Sequence, residues 1–232
     1  MKKILVFQWF DCKDEARRKE LLECIDHNLS LAFDEFIILN DSTPALFTGD
    51  KIQNIQTTKR MTFQDWVAIL NDPKNHGAVV CLTNTDIKLD PSLPSKSDFI
   101  QQNQLIALSR YEKNGELAPN PWVTQDTWAA ISQPIHNSVV HQSAIPLGVP
   151  GCENRIAELF FNVGFEVINP CLDILNMHIQ SVDSIHELQN KVAGTYLAIP
   201  PSNLQTQGGY PPAMPMYFVL NMNKMFQIGD PF

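Results

Sequence analysis

The residues best placed to do chemistry are the polar ones that follow directly on short apolar runs. Four such runs, at residues 4–7, 36–39, 78–82 and 105–108, lead into Gln8 to Asp11, Asn40-Asp41, Asn84-Thr85-Asp86 and Ser109-Arg110-Tyr111-Glu112. Open α/β sheets bind ligands beyond the carboxyl ends of their strands, so these segments are the first candidates. Asn84-Thr85-Asp86 is the sharpest of them. A carboxylate fixed at a strand end can hold a hard divalent cation, which bridges phosphate oxygens and neutralises charge on a leaving group. The same tripeptide also reads as an Asx turn closing a strand. Asp126, which precedes Thr127-Trp128, and Glu153, which opens a helix after a Gly-containing turn, have the type and placement for acid–base work. A carboxylate in either position can take a hydroxyl proton as that oxygen attacks. The helix dipole favours an ionised Glu153, which is also ordinary capping. Beside Asp126, Trp122 and Trp128 either stack on a sugar ring or close the core.

These residues need a scaffold. The runs at 4–7, 36–39 and 78–82 lack period-2 alternation and suit strands covered on both faces. Between the first two, Leu21, Leu22, Ile25 and Leu29 recur at helical spacing over residues 14–32, giving a βαβ opening with parallel strands. Residues 43–59 show no regular pattern. Thr62 is placed to cap a helix carrying Phe63, Trp66, Ile69 and Leu70. Gly148-Val149-Pro150-Gly151 predicts a turn before a helix over 152–163, and residues 165–168 predict a further strand. The fold class is therefore α/β, a mixed, mainly parallel sheet flanked by helices, spanning about residues 1–200. From Pro200 onward the Pro/Gly/Met-rich tail, 201–232, reads as irregular yet apolar enough to dock, as a lid or in a homodimer.

Composition narrows the classes. The 232 residues suffice for one sizeable core, and the formal net charge of −8 disfavours a polyanion, so no nucleic-acid partner is expected. No apolar stretch approaches the roughly 18–20 residues of a membrane span, and no signal-peptide pattern opens the chain, so a cytoplasmic protein is expected. The five cysteines are scattered without zinc-ligand spacing and read as reduced thiols. Fingerprints of P-loop NTPases, Rossmann dehydrogenases, α/β-hydrolases and zincins are missing from the sequence.

The order of several short motifs resembles a glycosyltransferase-like family of the GT-A (Rossmann-like) fold, in the nucleotide-diphospho-sugar transferase superfamily. The motifs are Asn84-Thr85-Asp86-Ile87, Ser109-Arg110-Tyr111-Glu112, Thr124-Gln125-Asp126-Thr127-Trp128, Gly151-Cys152-Glu153-Asn154-Arg155-Ile156-Ala157, Asn169-Pro170 and His178, covering about residues 4–200. The resemblance implies a transferase, hexosyltransferase-like, that moves a sugar from a nucleotide-diphosphate donor to a glycan, protein or small-molecule acceptor with Mn²⁺ or Mg²⁺. Asp86 and His178 would be the metal ligands of a DxD-like motif whose first residue here is Asn84, a group suited instead to ribose or phosphate. Gln8, Phe10 and Asp11 would meet the base. Arg17, Arg60, Arg110, Asn154 and Arg155 would meet the diphosphate or sugar, and Asp126 or Glu153 would serve the acceptor. Arg17-Arg18-Lys19 also fits a solvated helix face, and Arg155 a structural pair. The asparagine at position 84 keeps open a second reading, a non-catalytic nucleotide-sugar or carbohydrate-binding protein.

Overall fold

In a computed structural model, residues 1–179 and 191–204 are described, together with the backbone of a strand at Phe218–Leu220. The order is β1 (Lys3–Trp9), α1 (Glu15–Leu29), β2 (Glu35–Asn40), β3 (Ile52–Gln56), α2 (Phe63–Asn71), β4 (Val79–Thr83), β5 (Ile87–Lys88), α3 (Leu93–Lys96), β6 (Gln104–Ser109), β7 (Gln125–Ile131), α4 (Asn137–Gln142), α5 (Cys152–Phe161), β8 (Glu166–Ile168), β9 (Met177–His178), β10 (Tyr196–Ala198) and β11 (Phe218–Leu220). A seven-stranded sheet runs β3-β2-β1-β4-β7-β6-β8. All its neighbours pair in parallel except at β7, which is antiparallel to both β4 and β6.

Alternate residues of each central strand feed two separate cores, as a strand covered on both faces requires. Ile4, Val6, Val80, Leu82, Leu105 and Trp128 pack on one face with Phe63, Trp66 and Leu70 of α2 and Ile156 and Phe160 of α5. Leu5, Phe7, Cys81, Ile106 and Ala129 pack on the other with Leu21 and Ile25 of α1. The mixed, mainly parallel α/β sheet flanked by helices read from the sequence is the architecture observed. Among the described residues no helix is long and apolar enough to cross a membrane.

Two strands of the large sheet depart from the sequence reading. The stretch 43–59 contains β3, an edge strand with one neighbour and mostly exposed side chains, which needs no apolar run. At β7, Gln125-Asp126 and two alanines are poor strand formers, yet every residue of the strand is buried. Its place between β4 and β6 overrides local propensity. The tail 201–232 falls mostly outside the described residues; β11 within it pairs antiparallel with β10.

Candidate functional site

The carboxyl ends of β1, β4 and β6 and the amino end of β7 meet at one edge of the sheet, around a cleft of about 690 Å³. Gln8, Phe10, Arg17, Arg60, Asn84, Asp86, Arg110, Asp126, Glu153 and His178 all line it. The antiparallel β7 is what brings Asp126 in. Thr83 lies opposite Thr127, Asn84 N donates to Asp126 O at 3.0 Å, and the strand ends of β4 and β7 are thereby clasped.

The polar side chains form a continuous alternating chain. Arg17 Nη1 donates to Glu20 Oε2 at 3.2 Å and its Nη2 to Asp86 Oδ2 at 2.5 Å. His178 lies between two carboxylates, Nε2 at 3.4 Å from Asp86 Oδ2 and Nδ1 at 3.4 Å from Glu112 Oε2. Arg110 then joins Glu112, Nε to Oε1 at 3.1 Å, to Asp126, Nη1 to Oδ2 at 2.9 Å. Asn84 Nδ2 donates to the other Asp126 oxygen at 2.5 Å. Local structure explains the placements. Asp14 caps α1 by accepting from Arg17 N, and Arg17 shares the inward stripe of Leu21 and Ile25, so it turns into the cleft while Arg18 turns out. His178 is held by the short β5–β9 ladder, which sets it opposite Ile87, one residue after Asp86.

Burial works against the charge on Asp86, yet hydrogen bonding and charge from His178 and Arg17 hold its carboxyl down at about 2. Burial likewise lowers His178, but its bond to Asp86 and that carboxylate's charge overcome this and raise it above 6.5. Burial pushes the Glu153 carboxyl up to about 7, with the charge of Asp126 adding to the rise. Burial disfavours the Arg110 cation, and the charge of Asp126 more than restores it.

Mn²⁺ or Mg²⁺ was expected at Asp86 and His178. The Arg17 guanidinium occupies Asp86 Oδ2, and both ring nitrogens of His178 face carboxylate oxygens at 3.4 Å. Among the described residues no group of three or more His, Cys, Asp or Glu side chains is arranged to hold a metal ion. In this arrangement the donor set does not fit a metal seat.

Asp11, Asn154 and Arg155 do not line the cleft. Asp11 is exposed and pairs with Arg18 at 3.2 Å. Asn154 is buried and donates to Gln125 Oε1 and to the carbonyls of Trp122 and Leu197, tying α5 to β10 and to the turn before β7. Arg155 pairs with Glu158 and donates to Gln142, knitting α5 to α4. Asn169 has a similar structural use, with Ser109 and Ile199 O as partners. Trp128 closes the core edge-to-face with Phe63, centroids 4.8 Å apart, whereas Trp122 is 44% exposed. Glu112 and Gly148 line the cleft, although the sequence assigns neither of them a role of its own. Glu112 stood in a quoted motif beside Arg110, and Gly148 read only as a turn residue.

No protein-family model and no curated protein matches the sequence. Among solved structures, the chain is similar to S. aureus TarS, with TM-score 0.45 and 11% identity over 78% of this chain and 37% of that one. It is also similar to a Bacillus anthracis protein assigned as a glucose-1-phosphate thymidylyltransferase, in complex with sucrose, with TM-score 0.44 and 10% identity over 72% of this chain and 85% of that one. The chain thus spans well under half the length of TarS.

Proposed function

We propose that the chain is a GT-A-like glycosyltransferase, hexosyltransferase-like, acting on a nucleotide-diphosphate-sugar donor and a hydroxyl acceptor. One observation carries this reading: a single cleft at the carboxyl edge of the sheet combines arginine side chains with a carboxyl group held near neutrality. Phe10, 40% exposed on the cleft wall, offers a face for a base. Arginine suits the diphosphate because its planar fork matches two phosphate oxygens at once. Glu153 then takes the acceptor proton while the acceptor oxygen bonds the anomeric carbon, the bond from that carbon to phosphate breaks, and the nucleoside diphosphate leaves. A group with its pKa near working pH is best matched to that transfer. No step is routed through Mn²⁺ or Mg²⁺, since Asp86 is already paired with Arg17.

The test is a panel of UDP-, GDP- and CMP-sugars, each with and without Mn²⁺, read as sugar release. At least one donor is expected to be hydrolysed, with Glu153→Gln losing that activity by more than tenfold and keeping its fold. Absence of both binding and hydrolysis across the panel sinks the reading. A second reading, a nucleotide-sugar or carbohydrate-binding protein, draws support from Asp126, whose two oxygens are both engaged by Asn84 and Arg110. Donor binding without release selects it.

A further inference from the structure

Three arginines line the cleft, and two of them, Arg17 and Arg110, are paired with carboxylates. Arg60 is exposed, and no carboxylate pairs with it among the described residues. Its backbone is nevertheless gripped on both sides. On one side Gln8, at the end of β1, donates from Nε2 to Lys59 O at 2.8 Å and accepts at Oε1 from Met61 N at 2.8 Å. The side-chain amide thus pairs with the residues flanking Arg60 as a neighbouring strand would. On the other side Leu147 N donates to Met61 O at 3.1 Å and Phe63 N to Ile145 O at 2.9 Å. The guanidinium itself lies on Gly148, where a Cβ would stand 2.7 Å from Arg60 Nη2. Gln8 is also tied to the central strand end, because its own carbonyl accepts from Thr85 Oγ1 at 2.6 Å.

Fixing a backbone costs conformational entropy, and here the side chain so presented finds no charged partner within the described chain. A partner from outside supplies one. Resting on the cleft's reading as a phosphate-ligand site, we infer that Arg60 is the seat of a phosphate group of the ligand and that Gln8 is its positioning residue rather than a reader of the base. To meet a base, the Gln8 amide would have to rotate and break both bonds to the 59–61 backbone. Held as it is, Gln8 couples the end of β1, the Asn84-Thr85-Asp86 corner and the Arg60 segment into one wall, and Gly148 leaves room for the Nη2 end of the guanidinium.

Calorimetric titration with inorganic pyrophosphate, UDP and GDP in EDTA tests this. Arg60→Ala is expected to weaken the probes that bind by at least tenfold, and Gln8→Ala by roughly five- to tenfold, with pyrophosphate affected as much as the nucleotides. The double variant should bind no more weakly than Arg60→Ala alone, because Gln8 acts through Arg60. Gly148→Ala, which displaces the guanidinium from the other side, should show the same dependence on Arg60. A Gln8→Ala loss confined to one nucleotide, or a loss additive to that of Arg60→Ala, would overturn the positioning role. Arg60→Ala binding like wild type overturns the seat while leaving the proposed function standing. Wild type binding none of the three probes in EDTA also overturns the seat, while the proposed function stands or falls on the donor panel run with and without Mn²⁺.

Discussion

Glu153 and Asp86 are carboxylates of one cleft moved in opposite directions, and the difference lies in their neighbours. Asp86 has a guanidinium and an imidazole within reach, whereas Glu153 has burial and the negative charge of Asp126 against it. The consequences for stability have opposite signs. Glu153 prefers its proton in the folded state, so wild type gives up stability as pH rises from about 4.5 to about 7. Glu153→Gln should therefore be more stable than wild type at pH 8 by up to about 3 kcal/mol and show no gain at pH 4. Urea unfolding at the two pH values checks it, and an equal effect at both would mean that Glu153 is not held protonated by the fold. Asp86 prefers the ionised form, so its contribution is present above about 3.8 and is lost as pH falls toward 2. Asp86→Asn leaves the half-buried Arg17 cation with Glu20 alone and removes the carboxylate that raises His178, which should cost about 2–4 kcal/mol at pH 7.

Elements decide which of these residues meet. The strand-end segments after β1, β4 and β6 were legible because apolar runs announce buried strands and the edge they share is where polar residues gather. Arg17 was ambiguous because a basic triplet on a helix looks solvated, and only the inward stripe through Leu21 and Ile25 turns one of the three inward. β7 was illegible: β4 lies well back along the chain and β6 across the loop 110–124, and no local preference of Gln125-Asp126 or the alanines reveals either pairing. His178 depends likewise on a two-residue ladder too short to leave a pattern. Asn154 and Arg155 were drawn toward the site by their motif, but they face β10, the turn before β7 and α4 instead. The same motif contains a glycine with a definite steric task. Gly151, at φ +82°, has Tyr196 Cε1 2.5 Å from where a Cβ would stand, so α5 and β10 close on it. Gly164, at φ +91°, has open space there. Gly151→Ala should therefore cost about 2–4 kcal/mol and Gly164→Ala only about 1 kcal/mol. Equal losses in denaturant unfolding would mean that backbone strain, and not contact with Tyr196, sets the cost.

At the scale of the whole molecule, the proposed anionic ligand would meet a chain of formal net charge −8 and a cleft lined by three arginines and four carboxylates. The overall field opposes approach, so affinity has to come from short-range contacts inside the cleft, where solvent screens charge less than on open surface. Two ways of neutralising a diphosphate there make different demands. A divalent cation needs Asp86 free of Arg17 and His178 neutral, whereas guanidinium binding needs no change in the observed network. Ligand binding stabilises the fold, by about 2.7 kcal/mol at a hundred times Kd, which for a domain of this size corresponds to a rise in Tm of about 5–10 °C. The arginine account predicts the same rise at saturating UDP, GDP or pyrophosphate in EDTA as in millimolar Mn²⁺, and predicts that Arg60→Ala diminishes it in both. A rise seen only with Mn²⁺, and abolished by Asp86→Ala, would instead require Arg17 to leave Asp86 when the ligand binds. Asp86 and His178 would then be the metal ligands that the sequence motif implied.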